Sequence, residues 1–259
     1  MILQVGDYGR AVGAVAVSTL RESIRAKLFY ALAILIVFIM GTSMGLGSVT
    51  IGDPIAVLKD FARFSISISI LLYCVGYATA ALHQEIANRI IFNVLSRPIP
   101  RSTYLLGKFT GMCLVETIII LACGLPLIFL CFWLEGFVDF QLVRALAGIF
   151  LEGLILSSLA ILGSSFLVTP LVVAVATFCS FVAGRSSDYI LRFADEPGLT
   201  TAVSALLRGI YWAVPHLSDM VSMSSLEGGR VLFAAGYAVS YSGVALCAAV
   251  LLFNRREFE

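Results

Sequence analysis

Apolar residues in this chain come in runs of span length rather than as short amphipathic pieces. A bilayer core of about 30 Å needs about 20 such residues in a helix. The first run extends from Leu28 to about Leu46, the second from about Phe61 to Leu82, and the third from Phe109 to Leu134, with Pro126 a kink point. From Ala145 to Ala183 the run is too long for one crossing. Gly163-Ser164-Ser165 and Pro170 interrupt it, so the pattern predicts a tight turn near 164–170 and two spans, 145–164 and 168–184. The last run covers about Val231 to Phe253. The expected fold is an all-α polytopic membrane protein, one domain over 1–259, with six transmembrane helices and both termini on one side.

Three further segments have helical periodicity without span-like hydropathy. Residues 8–26 set Val12, Val15, Ala16, Leu20 and Ile24 beside Arg21 and Arg25, which predicts an amphipathic elbow helix along the interface. Over 82–95, at the start of the connector 83–108, Leu82, Ile86, Ile90 and Val94 recur four apart, and Glu85 and Arg89 form an i,i+4 pair. Ser96-Arg97-Pro98 ends that helix, because the residue before a proline is pushed out of the α region. In the loop 185–230, Leu199, Val203, Leu206, Leu207, Ile210, Tyr211 and Val214 follow helical spacing up to Pro215. This predicts an interfacial or re-entrant helix with Tyr211 and Trp212 at headgroup depth.

Composition agrees with the pattern. The chain is 60% hydrophobic and only 13% charged, about half the charge of a soluble domain, and its mean hydropathy is +1.00. The ten-residue alternation of a β-barrel is absent. A net charge of +1 with no basic tail gives no reason to expect a nucleic-acid partner. Arg and Lys near span ends set the orientation. Arg10, Arg21, Arg25, Lys27, Arg89, Arg97, Arg101, Lys108, Arg255 and Arg256 outweigh Lys59, Arg63, Arg144, Arg185, Arg192, Arg208 and Arg230. The termini and the connector are therefore expected in the cytoplasm and 185–230 outside. No apolar h-region precedes a cleavage site in the first 26 residues, so no signal peptide is expected.

Catalytic motifs find no support. There is no G-x-x-x-x-G-K-[ST] and no HExxH around His83 or His216, and the one G-x-S-x-G match, Gly41–Gly45, lies inside the first apolar run. No enzymatic activity and no resident cofactor or metal are expected. Two carboxylates, Glu116 and Glu152, fall inside apolar spans, where ionisable groups are costly and mark function by default. Each could line a transport path or act in a proton-linked switch, or could be a protonated or hydrogen-bonded carboxyl between helices. His216, Met220 and Met223 at helical spacing offer soft ligands for a metal such as Cu(I), or ordinary packing. The six cysteines, Cys74, Cys113, Cys123, Cys131, Cys179 and Cys247, form no CxxC and are expected to pack as small apolar side chains.

Around the connector the residues Glu85 and Arg89, Leu95-Ser96-Arg97-Pro98 and Arg101-Ser-Thr-Tyr104-Leu-Leu-Gly107-Lys108 stand out, as does the Arg-rich end Phe253-Asn-Arg-Arg-Glu257-Phe258. These resemble the ABC-2 class of ATP-binding-cassette permeases, nearest to the subgroup encoded with nitrous oxide reductase maturation factors and to multidrug exporters. The resemblance implies a type V exporter-like membrane subunit in a bacterial inner membrane. It implies that two copies assemble with two separate ATPase subunits, which carry the ATP and magnesium. Glu85, Arg89, Arg97, Arg101 and Lys108 would then couple the connector to the ATPase. Two other classes remain open on the residues alone: a non-transporting membrane scaffold or assembly factor, and a proton-coupled secondary transporter using Glu116 and Glu152.

Overall fold

The computed structural model describes residues 5–26, 30, 32, 34, 38, 41–42, 54–79, 100–137, 139–167, 169–194, 200–221 and 228–255. All regular structure among them is helical. Helix α1 is Val5–Arg25, α2 is Pro54–Tyr73 with a π-helical continuation Cys74–Ala78, α3 is Arg101–Glu135 and α4 is Phe140–Phe166. Then follow α5 (Pro170–Arg185), α6 (Ser187–Ala194), α7 (Thr201–Ala213), α8 (Ser218–Val221) and α9 (Gly228–Arg255). Three of these are long and apolar enough to cross a bilayer: α3, α4 and the Arg230–Phe253 part of α9. The bent pair α5–α6 would make a fourth. The chain is thus a helical, membrane-type protein. The first expected span (28–46) lies mostly outside the described residues, and α2 carries Lys59, Asp60 and Arg63 in its first half.

The breaks between helices follow local chemistry. Helix α3 ends at Gly136, which adopts φ 79° and donates its N–H to Phe132 O (2.9 Å); glycine enters this left-handed region without a Cβ penalty. Asp139 caps α4 by accepting from the Gln141 N–H at 2.8 Å. The expected turn near 164–170 is present. Leu167 and Thr169 are extended, and Pro170 starts α5, where its missing N–H costs nothing. Val214 is extended in front of Pro215 and stops α7 where the periodicity ends. Helix α3 is longer than the expected span: it begins at Arg101, inside the connector, and runs through Pro126 without a break. At 1.5 Å per residue it is about 52 Å long, so its first turns reach beyond an apolar layer of about 30 Å or the helix tilts.

Helix α4 is the axis of the molecule. It touches α2 and its π continuation, α3, α5, α8 and α9, and 72% of its most apolar stretch is buried, against 22% for α3. The rest of α3 presents Leu114, Leu121, Leu125, Phe129, Phe132 and Trp133 outward, a surface suited to lipid or to another protein in the membrane.

Helix α1 lies along the first turns of α3, with Ala16, Thr19 and Ser23 buried and Arg10, Arg21 and Arg25 exposed. Close approach is possible because Gly107 and Gly111, one turn apart, face it. A Cβ on Gly107 would stand 2.6 Å from Val15 Cβ, and one on Gly111 would stand 2.9 Å from the Ala16 carbonyl oxygen. This is the small-xxx-small packing that membrane helices use where apolar burial alone gives no driving force. The Thr19 and Ser23 hydroxyls are satisfied by α1's own carbonyls, Val15 O (3.0 Å) and Thr19 O (2.8 Å). Ser23 Oγ also meets Tyr73 OH at 3.3 Å, joining α1 to α2.

Two glycines of this region separate packing from propensity. Gly111→Val should lower stability by about 1–3 kcal/mol through overpacking against backbone and release α1 from α3, read as lost crosslinking between cysteines placed at Val15 and Leu106. Gly13→Ala, where an added Cβ meets nothing within 4 Å, should instead stabilise α1 by up to about 1 kcal/mol.

Candidate functional site

Among the described residues, two buried carboxylates anchor polar centres that draw on α4. Glu152 (2% exposed) belongs to the first. Arg185, the last residue of α5, donates from Nε to Glu152 Oε1 (2.9 Å) and from Nη2 to Oε2 (3.1 Å). Ser67 of α2 completes the group: it accepts from Arg185 Nη2 at 2.7 Å and donates to Glu152 Oε2 at 2.8 Å. Phe181, one turn earlier on α5, lies under the guanidinium at 5.1 Å. Ser65 and Ser69 on the same helix turn their hydroxyls to α2's own carbonyls (2.6 and 2.8 Å), so Ser67 alone of the three is directed at the carboxylate. A buried carboxylate is tolerated when paired and hydrogen-bonded, and here a two-pronged guanidinium does both.

The ion pair also fixes where α5 ends. Glu152 lies about 18 Å along α4 from its first residue, and Arg185 is level with it. The chain bends by 61° between α5 and α6 at that depth. Leu217 then closes over the bend. Its N–H donates to Gly184 O at 3.2 Å, and a Cβ on Gly184 would stand 2.6 Å from Pro215 O. Pro215 and Leu217 therefore lie at the level of the ion pair.

Glu116 of α3 forms the second centre and is fully buried. Its Oε1 accepts from Ser157 Oγ of α4 and lies 3.6 Å from Cys74 Sγ, the first residue of the π-helical segment. Its Oε2 has no hydrogen-bond partner among the described residues. Gly153 gives the carboxyl its room, since a Cβ there would stand 2.8 Å from Oε2. No cation reaches Glu116 among the described residues. The two intramembrane glutamates therefore differ in kind, one ion-paired and one met by hydroxyl and thiol. Cys74 packs as expected of a buried cysteine but also belongs to this polar centre, and π-helical turns recur at functional positions.

The connector residues divide. Glu85, Arg89 and Arg97 lie outside the described residues. Arg101 donates from Nη1 to Phe253 O (3.1 Å), with its guanidinium 5.9 Å from the Phe253 ring, and so ties the start of α3 to the end of α9. Lys108 is buried (1% exposed) on the α1–α3 seam, with its ammonium 3.7 Å from Glu22 Oε2. Helix α1, the start of α3 and the end of α9 thus meet at one end of the molecule. At the other end, Lys59 of α2 bonds both Glu135 (2.6 Å) at the end of α3 and Asp139 (2.8 Å) at the start of α4.

His216 is held among aromatic rings. Its backbone N–H donates to Tyr237 OH at 3.2 Å, its Nδ1 is 3.3 Å from the same hydroxyl, and the Tyr211 ring stands edge-on at 4.2 Å. Met220 is buried in the apolar core, and Met223 lies outside the described residues. Among the described residues no three His, Cys, Asp or Glu side chains gather as a metal site. Sequence reasoning singled out both glutamates but missed Arg185 and Ser67. The available signal was that α5, started by Pro170, has only 16 residues up to and including Arg185, about 24 Å and short of a full crossing. Compared with known protein families and with curated proteins, the chain matches none.

Two outcomes test these assignments. Glu152→Gln or Arg185→Gln alone should each destabilise the protein by about 3–5 kcal/mol, as expected for a buried charge left without its partner. The double variant should recover most of that loss, read as thermal unfolding in detergent or nanodiscs. The Lys59 clamp should respond to acid. Burial pushes the Asp139 carboxyl up, but the hydrogen bond from Lys59, the Gln141 N–H and the Lys59 charge outweigh it and hold it below its ordinary value of 3.8. A carboxyl depressed in the folded state contributes stability above its ordinary value and loses it as pH falls through the lowered one. Wild-type protein should therefore lose more thermal stability than Asp139→Asn between pH 6 and pH 3.

Proposed function

We propose that the chain is the permease subunit of an ATP-binding-cassette exporter, driven by a separate ATPase that docks on the connector 83–108. The observation that carries this reading is the junction at the connector's end. Arg101, Gly107, Lys108 and Gly111 fasten the first turns of α3 to α1 and to the end of α9. From there α3 continues unbroken to the Lys59 clamp at the far end. A displacement delivered to the connector would pass into one rigid helix and its two neighbours. A chain without a nucleotide-binding motif needs such a handle for an outside energy source, and the sequence resemblance at Glu85–Lys108 points to the same partner.

In this reading six spans cross a bacterial inner membrane, with α1 and both termini in the cytoplasm. ATP and magnesium stay in the partner, and a second copy of the chain completes the transporter. The outward apolar face of α3 supports burial against such a copy. Lys108 and Arg101 act by holding α1 and α9 to α3, while Glu85, Arg89 and Arg97 meet the ATPase.

The experiment is purification from native membranes with identification of the associated ATPase, followed by docking and turnover assays on variants. The chain alone should hydrolyse no ATP. Glu85→Ala and Arg89→Ala should insert normally and weaken ATPase docking by about tenfold, the scale of a charged interface anchor, while Arg192→Ala in α6 leaves docking unchanged. ATP turnover by the pure chain, or connector variants that dock and turn over like the parent, would end the reading.

A further inference from the structure

A cavity of about 220 Å³ opens between α2 and α4, lined by Asp60, Arg63, Phe64, Ala145, Ile149 and Arg185. We propose that it is a binding site for the phosphate of an amphiphile, with the phosphate against Arg185 and Arg63 and the apolar part along Phe64, Ala145 and Ile149.

The size decides the class of ligand first. Drug-sized molecules occupy cavities of about 300–1,000 Å³, so this one accommodates a headgroup rather than a whole molecule. The wall decides the chemistry. Arg185 commits Nε and Nη2 to Glu152 and Ser67, and its Nη1 has no hydrogen-bond partner among the described residues. The guanidinium is therefore held over Phe181 by Glu152 and Ser67, and Arg185 forms part of the cavity wall. A planar cation fixed in this way is suited to an oxyanion. Arg63 supplies the second cation. Its Nε donates to Lys59 O at 3.3 Å and its Nη2 pairs with Asp60, three residues earlier on the same helix, whose side chain is 67% exposed. Such a surface pair is worth little, so a phosphate can replace Asp60 on Arg63 while Asp60 turns to water. The remaining lining is apolar, and Phe64 is itself half-exposed at the rim, which favours a ligand carrying acyl chains over a free ion.

The cavity sits at the Lys59 end of the bundle, away from the connector. Binding there depends on this chain's own residues and not on an ATPase, so its failure would leave the exporter reading standing, and the reverse also holds.

The test uses the full chain, purified in mild detergent and stripped of lipid. Native mass spectrometry then measures retention of phosphatidylglycerol, of dioleoylglycerol (which lacks the phosphate) and of inorganic phosphate. Arg63→Gln and the double variant Glu152→Gln/Arg185→Gln, which replaces the ion pair by a neutral hydrogen-bonding pair, are compared with the parent and with Arg230→Gln, an exposed control. Phosphatidylglycerol should be retained by parent and control and bound about tenfold more weakly by either test variant, the scale of one charge-assisted hydrogen bond. Arginine-dependent binding of inorganic phosphate without retention of phosphatidylglycerol would keep the anion site and assign it a soluble phosphate ester. Phosphatidylglycerol retained equally by parent and both test variants, or dioleoylglycerol retained as well as phosphatidylglycerol, would overturn the proposal.

Discussion

A charge held among apolar helices has to find its counter-charge there, and that requirement shapes the centre of this protein. Arg185 can end α5 at the depth of Glu152 because Glu152 and Ser67 receive it. Glu152 can sit inside α4 because Arg185 answers it with two donors. The group joins α2 to the consecutive helices α4 and α5, and it does so with direction: a guanidinium edge allows one orientation of α5 against α4, where apolar contact would allow many. The bend into α6 and the contact of Leu217 on Gly184 follow from where α5 is made to stop. Replacing such a group with well-packed apolar residues is often no loss in stability, so its presence here argues for a fixed register or a role at the cavity it borders.

The second constraint is steric. Helices in an apolar medium gain little from burying apolar surface against one another, so small residues that permit close backbone approach become the adhesive. Gly107 and Gly111 admit α1, Gly163 admits Val173 of α5, and Gly153 admits the Glu116 carboxyl. In the last case a missing side chain makes room for a polar group rather than for another helix. Helix α4 thus carries the ion-paired carboxylate and, at the next residue, the space for the other one.

Much of the architecture was legible from residue pattern. The break near 164–170, the helix ending at Pro215 and the long last helix each rest on a local rule, and local rules survive folding. Both intramembrane glutamates were legible too, because an acidic residue in an apolar run is conspicuous by itself. Their partners were not. Arg185 reads as the first residue of a loop because hydropathy places a boundary at the first cation, and nothing short of the fold brings it to a residue 33 positions earlier. Lys108 reads as an exposed connector cation for the same reason, yet its immediate neighbour Gly107 draws α1 close enough to cover it. Its four-carbon stem fills the seam while the ammonium reaches Glu22 at the rim. The weak Cu(I) candidates illustrate the converse: helical spacing brought His216 and Met220 to notice, but His216 is engaged by Tyr211 and Tyr237 and Met220 by the core.

The two ends of the molecule are held by different physics, and this bears on how a force would travel. At the connector end the contacts are steric and largely dry: glycine against backbone, a buried lysine stem, an arginine on a carbonyl. Close-packed contacts of this kind have a single arrangement and transmit displacement without slack. At the far end the contacts are ionic and partly wet. Lys59 is shared between two carboxylates, and Arg63 is matched with an exposed Asp60. The solvent-exposed Arg63–Asp60 pair exchanges partners at small cost. Helix α3 connects the two ends without interruption. A displacement entering at the rigid end would therefore be resolved at the compliant one, where the chain already keeps a cavity between α2 and α4.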